Sequence, residues 1–448
     1  MQTTMPATRA TLRALLQPQF VVGHLTSAGM SLTEATAKSE RFACAASTLI
    51  EWGHSPGTAA VAAFVPGRIE VMGKHTDYCG GRSLVCTVER GMCFVAVGRT
   101  DPAIRFSAID LNDTAAMALD QNLQPAVGHW SNYPMTVARR VARNFPAVTT
   151  GADIAMSSDL PPASGLSSSS AMIVGCFLVL ARLNNLADDP AYQRHIRTRE
   201  DLAGYLGCIE NGESFGDLAG DKGVGTFGGS QDHTAILCSK PGKLSVYSFC
   251  PVLHERDVEL PPDLRFLIAD SGVAAEKTGE ALAKYNGVSL RARRLVSLWN
   301  DSHVSKARCL REAATLTPTA AVELRALARA GTQDLDLKGR LDQFLAESNF
   351  LIPAAVDALA RHDLGTLGTI VDESQHRAQT QLQNQVSETI ALQRLLRETG
   401  AVAASAFGAG FGGSVWGLYH ADDIPTALAH LHDRRTFVSR PGCPAIEF

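Results

Sequence analysis

The sequence predicts an α+β protein with two domains. At 448 residues the chain is longer than one hydrophobic core usually serves, so two domains are the default expectation. Strand-like apolar runs with short turns dominate the first part, whereas from 276 to about 399 the apolar residues recur at helical spacing. Because strands give way to helices near residues 250–275, we place the domain boundary there.

The predicted elements follow one another along the chain. Residues 1–54 have a helical pattern, clearest from 34 to 52, and are expected to form an N-terminal extension. Strands are predicted at 59–67, where Pro66 and Gly67 close the run, and at 82–88, 92–98, 103–109, 152–160, 233–239, 243–249 and 264–271. Helices are predicted at 130–145, at 171–183, through most of 276–399 and near 424–433, with a strand–turn–strand unit at 401–419.

Composition and cysteine spacing exclude several classes of protein. A formal net charge of −4 argues against a nucleic-acid-binding protein, which is normally basic. The ten cysteines form no CxxC pair, which excludes zinc ribbons and thioredoxin-type motifs. No window reaches the roughly eighteen apolar residues of a membrane span, and the N-terminus lacks the apolar core of a signal peptide. We therefore expect a cytoplasmic protein that binds neither nucleic acid nor membrane.

A serine-rich turn is the strongest chemical feature. It covers residues 161–170 (PPASGLSSSS) and comes directly before the helix predicted at 171–183. Glycine and small hydroxyl residues let the backbone close around an anion, and the helix offers unpaired N–H groups and the positive end of its dipole. The alternative is a solvated serine cap on a helix. The turn is not a Walker A loop, because no Gly-Lys-Ser/Thr follows.

Two short motifs match catalytic patterns only in their letters. Residues 408–413 match GxGxxG, but a predicted strand follows the glycines where a dinucleotide site needs a helix. Residues 53–57 match GxSxG, but Pro56 favours an extended conformation at Ser55, whereas the hydrolase elbow lies between a strand and a helix. A dehydrogenase and a hydrolase are therefore disfavoured.

Three segments together resemble the galactokinase branch of the GHMP kinase superfamily. Residues 65–81 (VPGRIEVMGKHTDYCGG) are similar to the galactokinase signature, the serine-rich turn to the second family motif, and residues 407–418 (FGAGFGGSVWGL) to the third. The segments occur in the family's order and at about its spacing. The likeness extends over about residues 60–445.

The resemblance implies a two-domain GHMP kinase fold. An N-terminal ATP-binding domain like ribosomal protein S5 domain 2 would span 55–260, a ferredoxin-like C-terminal domain would span 261–448, and the active site would lie between them. The implied reaction is ATP-dependent phosphorylation of the anomeric C1 hydroxyl of a monosaccharide, with ATP and Mg²⁺ as cofactors and a monomer or weak homodimer as the assembly. The alternative outside catalysis is a sugar and ATP sensor of the same fold.

Arg68 and Asp232 are the predicted catalytic residues. Phosphoryl transfer needs an oriented hydroxyl, an acceptor for its proton and positive charge around the moving group. The resemblance places the catalytic aspartate at Asp232, in the run 228–233 (GGSQDH), and the arginine at Arg68. The alternatives are a surface arginine after a Pro-Gly turn and an aspartate that caps a turn. His233 is either another base or a packed histidine.

The resemblance also assigns the nucleotide and the metal to the serine-rich turn and its surroundings. The predicted nucleotide-binding residues are Ser164, Gly165, Leu166, Ser167, Ser168, Ser169, Trp130 and Gly410. Mg²⁺ prefers hard oxygen ligands, and the matching positions are Ser168 or Ser169 together with Glu210. Glu213 is a competitor, because the stretch from 210 to 232 is longer than in typical galactokinases.

The predicted sugar-binding residues are His75 and Asp77 of the first motif, Lys74 beside them, and Tyr285, which is equally plausible as a packing residue. Galactokinases have glutamate at the position of Lys74, and an ammonium in place of a carboxylate reverses the direction of the hydrogen bond. Two hypotheses follow. Either Lys74 binds a sugar carboxylate, as in galacturonate, or it turns to solvent or to an acidic neighbour and leaves galactose specificity intact.

Overall fold

The computed structural model describes residues 10–161, 164–275, 279–330 and 336–448, without the side chains of 279–281. Its α-helices are α1 (Leu12–Leu15), α2 (Pro18–Ser27), α3 (Leu32–Glu51), α4 (Asn132–Asn144), α5 (Ser168–Leu183), α6 (Pro190–His195), α7 (Arg199–Asn211), α8 (Gln231–Cys238), α9 (Gly279–Ser302), α10 (Leu310–Thr315), α11 (Ala320–Ala330), α12 (Leu337–Ala346), α13 (Ile352–Ala360), α14 (Leu364–Arg377), α15 (Ser387–Glu398) and α16 (Ile424–His430). Within these described ranges, no helix combines the length and the apolar character needed to cross a bilayer.

The strands belong to two sheets. They are β1 (Ala10–Thr11), β2 (Ala59–Met72), β3 (Arg82–Gly98), β4 (Ala103–Ala108), β5 (Asp113–Ala118), β6 (Ala152–Ser158), β7 (Lys243–Ser248), β8 (Leu253–Glu259), β9 (Leu264–Asp270), β10 (Ala403–Ala406), β11 (Ser414–His420), β12 (Thr436–Ser439) and β13 (Ile446–Glu447). In the described part of the chain, nine of them form the first sheet along the path β1-β2-β3-β6-β4-β5, with β13 also paired to β2 and β7 linking β3 to β8.

Alternate residues of β2 pack against helices on opposite faces of the first sheet. Ala62 and Phe64 contact the helices of the N-terminal extension, whereas Val61, Ala63 and Val65 belong to the larger core that includes α5. This alternation follows from the two-residue repeat of a strand. A sheet covered on both faces explains why β2 is a nearly continuous apolar run rather than an alternating one.

The prediction that Pro66 and Gly67 close the first strand is wrong. β2 continues to Met72, and its register with β3 shifts between Pro66 and Arg68. Proline has no N–H to donate to a ladder, so a shift at that position lets pairing resume, with Arg68 opposite Thr87. As a result, one long strand carries the signature residues into the interior of the molecule.

The segment predicted as a strand at 233–239 is a helix. α8 spans Gln231–Cys238 and packs against α7. A short apolar run does not by itself distinguish a buried strand from a buried helix, and here the helix begins directly after a Gly-Gly-Ser turn. The change matters because it places Asp232 in the first turn of a helix rather than in the turn before a strand.

The second sheet is antiparallel, in the order β10-β11-β9-β12. Helices α14 and α15 contact β10, and a separate helical cluster built from α9 to α12 packs around Trp299 and Leu341. The chain then returns to the first sheet, where β13 and β1 both pair with β2. The division of the chain at residues 54 and 260 stays a prediction, and β13 pairs across it.

Candidate active site

A polar pocket lies between the second half of β2, the loop after it, the N-terminal ends of α5 and α8, and the loop that joins β10 to β11. Its lining residues are Arg68, Glu70, His75, Asp77, Tyr78, Ser170, Glu210, Asn211, Gly228, Gly229, Gln231, Asp232, Tyr285, Gly408 and Ala409. This lining contains four carboxylates and a single guanidinium. The pocket therefore suits groups that donate hydrogen bonds or carry positive charge.

Arg68 and Asp232 form an ion pair on the wall of this pocket. The Arg68 Nε lies 2.7 Å from the Asp232 Oδ1, with the arginine side chain 5% exposed and the aspartate side chain 21% exposed. The Arg68 guanidinium also donates to the carbonyl of Gly165, and the Ser167 hydroxyl donates to the other oxygen of Asp232. Charge-assisted bonds of this kind are short and directional. They fix the carboxylate beside the serine-rich turn.

The serine-rich turn leads into the N-terminus of α5. Gly165 and Ser167 both have positive φ, +82° and +63°, which bends the chain sharply before Ser168 begins the helix. Ser167 is the N-cap residue, but its hydroxyl is bonded to Asp232 and does not cap the helix. The first N–H groups of α5 therefore lack a side-chain cap, which is the arrangement that binds phosphate at helix N-termini.

Glu210 lies at the end of α7, against the first turn of α5. Its Oε2 accepts from the Ser170 hydroxyl at 2.8 Å, and its Oε1 is 3.4 Å from the Ser169 hydroxyl. The competitor Glu213 instead pairs with Arg293 at 2.7 Å and is 54% exposed. Of the two glutamates, only Glu210 is beside the serine-rich turn.

The signature loop after β2 begins with a turn that requires glycine. Gly73 has a φ of +115°, and a Cβ there would lie 2.5 Å from the Ser83 hydroxyl oxygen. The turn directs His75 into the pocket, where its Nδ1 is 2.9 Å from the Tyr78 hydroxyl. The ring of Tyr285, which comes from α9, is 5.2 Å from the His75 ring. Side chains about two hundred residues apart in the sequence thus meet at the sugar motif.

Asp77 closes the other side of this loop. Its Oδ2 accepts from the Gln231 N–H at 3.1 Å, which joins the loop to the start of α8. Gly229 approaches so closely that a Cβ there would lie 2.5 Å from the same oxygen. Burial raises the pKa of Asp77, while the backbone hydrogen bonds oppose that rise. The carboxylate is therefore positioned by backbone contacts rather than by a cation.

The glycine-rich loop at 407–413 packs onto the serine-rich turn. The Ser414 N–H donates to the carbonyl of Ser164 at 3.0 Å, and a Cβ on Gly165 would lie 3.1 Å from the Phe407 Cβ. Gly410 has a φ of +72°, and a Cβ there would lie 2.1 Å from the Asn384 carbonyl oxygen. The glycines are needed for close backbone packing, so the loop is a wall of the site.

Lys74 and Trp130 do not line the pocket. Lys74 is 1% exposed, and its Nζ donates to the Ser405 hydroxyl at 2.7 Å behind the pocket wall. Trp130 precedes α4, and its indole N–H donates to Asp113 at 2.7 Å. Neither residue is therefore grouped with the other predicted site residues, and the binding roles predicted for both stay predictions.

Models of protein families match three parts of the chain. The galactokinase galactose-binding signature matches residues 51–98, the GHMP kinases N terminal domain matches 132–216, and the GHMP kinases C terminal model matches 355–434. These ranges contain, in order, Arg68, the serine-rich turn and the glycine-rich loop. The chain is a galactokinase-like member of the GHMP kinase superfamily. The predictions of the family, of the α+β GHMP fold and of a sugar kinase are confirmed.

This GHMP kinase has full-length relatives named galactokinase. The protein of Chloroflexus aurantiacus is 28% identical over 392 residues, covering 85% of this chain and 89% of the relative. That of a Roseiflexus species is 27% identical over 365 residues, covering 81% and 84%. The structure of Lactococcus lactis galactokinase complexed with galactose superposes with a TM-score of 0.71 at 21% identity, covering 86% and 95%, which supports the shared fold.

As a kinase of this family, the protein uses ATP and a sugar acceptor. Most of the residues predicted from its sequence meet at one place. Six line the pocket, namely Arg68, His75, Asp77, Glu210, Asp232 and Tyr285. The serine-rich turn and Gly410 lie directly beside it, whereas His233 is 1% exposed, outside the lining, with its Nε2 3.3 Å from a Glu210 oxygen.

Sequence reasoning missed Glu70 and Gln231, which also line the pocket of this kinase. A signal for Glu70 was present. It lies two residues after Arg68, and the register with β3 is unbroken from Arg68 to Glu70, so both side chains point to the same face. Gln231 carries no comparable signal, because the sequence predicts a turn before a strand there and the structure has the start of α8.

Proposed function

We propose that this protein transfers the γ-phosphoryl group of ATP to the anomeric C1 hydroxyl of a neutral monosaccharide, with galactose as the first candidate, giving a sugar 1-phosphate and ADP. The observation that carries the proposal is the Arg68–Asp232 pair, which lies on the pocket wall and is bonded to the serine-rich turn. A proton acceptor, a cation and a phosphate-binding helix end are thereby adjacent. Phosphoryl transfer needs these three parts.

In the proposed mechanism, Asp232 orients the sugar hydroxyl and accepts its proton as the phosphoryl group arrives. Arg68 holds the carboxylate through its Nε, 2.7 Å away, and contributes positive charge beside the transferring group. The uncapped N–H groups of α5 hold the phosphate oxygens. His75 and Asp77 provide polar groups for the ring hydroxyls, and Tyr285 packs against His75.

We propose a Mg²⁺ site between α5 and α7. The Ser169 hydroxyl and the Glu210 carboxylate, 3.4 Å apart, are hard oxygen donors of the kind that Mg²⁺ prefers, with Ser168 next to them at the start of α5. When bound, Mg²⁺ neutralises charge on the phosphates of ATP. Glu210 is assigned to this site rather than Glu213, whose carboxylate is held by Arg293 at the surface.

Two alternatives are disfavoured by specific contacts. A uronic acid substrate would need Lys74 to meet its carboxylate, but the Lys74 ammonium donates to Ser405 behind the wall. A sensor without turnover has no need of the intact pair between Arg68 and Asp232. Repulsion between the pocket carboxylates and the carboxylate of a uronic acid also disfavours an anionic sugar.

The test measures ADP release with Mg·ATP against galactose, galacturonate, fucose and N-acetylgalactosamine. We expect turnover of a neutral sugar, reduced by about 100-fold or more in Asp232→Asn, in line with the loss of a general base. The matched control is Asp217→Asn, a carboxylate that is 79% exposed on the surface. If the folded wild-type protein binds ATP and turns over no sugar, the proposal fails and the sensor becomes the better hypothesis.

A further inference from the structure

A buried carboxylate faces the pocket at a position that the mechanism does not use. Glu70 follows Arg68 by two residues on β2, so both side chains lie on the same face of the strand. Glu70 is 2% exposed and forms part of the pocket lining. An acidic side chain at this depth normally has partners for both of its oxygens.

One oxygen of Glu70 lacks such a partner. Among the described residues, no protein group hydrogen-bonds to its Oε1, which is fully buried. The Gln231 side chain opposes the rise in the pKa of the carboxylate, and Gly408 comes so close that a Cβ there would lie 1.5 Å from Oε2. The carboxylate is therefore confined by Gly408 on one side, and it keeps an acceptor that no described residue uses. A desolvated acceptor of this kind is costly unless a ligand satisfies it.

Lys74 partly offsets the negative charge of Glu70 without lining the pocket. Its ammonium donates to the Ser405 hydroxyl, which in turn donates to Gln375 at 3.0 Å. The positive charge of Lys74 still acts on Glu70, where it opposes the effect of burial. A lysine placed behind the pocket wall lowers the free-energy cost of burying the Glu70 carboxylate. Glu70, and not Lys74, is then the residue that contacts a ligand in the pocket.

Resting on the sugar-kinase function proposed above, we infer that Glu70, and not Lys74, is the specificity-determining residue of the sugar site. Its carboxylate accepts a hydrogen bond from one hydroxyl of the acceptor sugar, while Lys74 supplies the compensating charge from behind the pocket wall. The site therefore selects sugars that present a hydroxyl donor at that position. It rejects analogues that lack the hydroxyl, because the buried acceptor is then left unsatisfied.

A sugar with a carboxylate at the same position is rejected for a second reason. It would bring another negative charge toward Glu70, Asp77 and Asp232, with the guanidinium of Arg68 already engaged by Asp232. The two hypotheses for Lys74 thus predict opposite substrates. Recognition by Lys74 favours a uronic acid, and recognition by Glu70 favours a neutral sugar.

The experiment pairs enzyme variants with deoxy sugars. Wild type, Glu70→Met and Glu70→Gln are assayed for kcat and KM with galactose, its 2-, 3-, 4- and 6-deoxy analogues, and galacturonate. The ATP affinity of each variant is measured as a check on folding. Methionine has nearly the same shape without an acceptor, and glutamine keeps a neutral one. The coupling between residue and hydroxyl is then obtained as in a double-mutant cycle.

We expect one monodeoxy sugar to lose about 10- to 100-fold in kcat/KM with wild type, chiefly through KM. In Glu70→Met, kcat/KM for that deoxy sugar should be nearly the same as for galactose, because the hydrogen bond is already absent. Glu70→Gln should give an intermediate ratio, and the ATP affinity should be unchanged in both variants. A purely structural role would lower activity equally for every sugar, and that result overturns the inference while leaving the kinase function intact. Preference for galacturonate also overturns it. Absence of all sugar turnover in ATP-binding wild type removes both proposals.

Discussion

Replacing Glu70 by glutamine is expected to stabilise the protein relative to wild type, and by more at alkaline than at acidic pH. Burial raises the pKa of Glu70 from its ordinary value of 4.5 to about 7, against the opposing effects of Lys74 and Arg68, and Glu347 adds to the rise. A raised pKa means that the folded state binds this proton more tightly than the unfolded state does. The contribution to stability is therefore present below pH 4.5 and is lost as the pH rises through about 7.

The size of the effect follows from the two pKa values. A rise from 4.5 to about 7, at about 1.36 kcal/mol per unit, corresponds to about 3 kcal/mol once the carboxyl is ionised in both states. Glutamine carries no charge at any pH and escapes this loss. Between pH 5 and pH 8.5 the stability advantage of Glu70→Gln should therefore widen by about 2 to 3 kcal/mol.

Urea unfolding of wild type and Glu70→Gln at pH 5, 6, 7 and 8.5, without ligands, measures this difference. The matched control is Glu259→Gln, the same substitution at a side chain that is 82% exposed. A stability difference between wild type and Glu70→Gln that stays constant over this pH range would refute the argument. It would mean that Glu70 keeps the same pKa in the folded and unfolded states.

Three further results are expected. Glu210→Gln should lower kcat and weaken the response to Mg²⁺ about tenfold or more, whereas Glu213→Gln should leave both within about twofold, as a Mg²⁺ titration of the rate would show; equal effects would contradict the metal assignment. Gly408→Ala should raise the sugar KM with little change in ATP affinity, because the added Cβ meets the Glu70 carboxylate, and an unchanged KM would mean that the loop yields freely. Lys38→Met should destabilise the protein by about 3 kcal/mol in urea, because it leaves two carboxylates 2.6 and 2.7 Å away without their cation, and a change below about 0.5 kcal/mol would contradict a buried pair.

Much of the fold could be predicted from periodicity, and the errors have identifiable physical causes. The helices at 130–145 and 171–183 were predicted within a few residues, because their apolar spacing is helical. The short apolar run at 233–239 fits a strand as well as a helix, so its pattern predicts a strand where the structure has a helix. Pro66 predicts a strand end from the sequence alone, since the register shift that accommodates it depends on the neighbouring strand.

The candidate site likewise contains residues that the sequence predicts and residues that it does not. Residues within one motif, such as His75 and Asp77, were predicted because the motif itself brings them together. The direction of a side chain was not predictable where it depends on a distant partner. Lys74 turns away from the pocket toward Ser405, more than three hundred residues later in the sequence. The choice between Glu210 and Glu213 likewise depended on which of them the end of α7 places against α5.

The pairing of β2 with both β1 and β13 has a consequence for biosynthesis. Ile446 lies opposite Phe64, so the strand that carries Arg68 obtains these backbone partners only after residues 446–447 have left the ribosome. Until then that part of β2 is an unpaired, largely apolar edge, which is a template for intermolecular association. Nascent chains that have not yet exposed residues 446–447 should therefore aggregate more readily than chains that have, because only the latter can cover this edge.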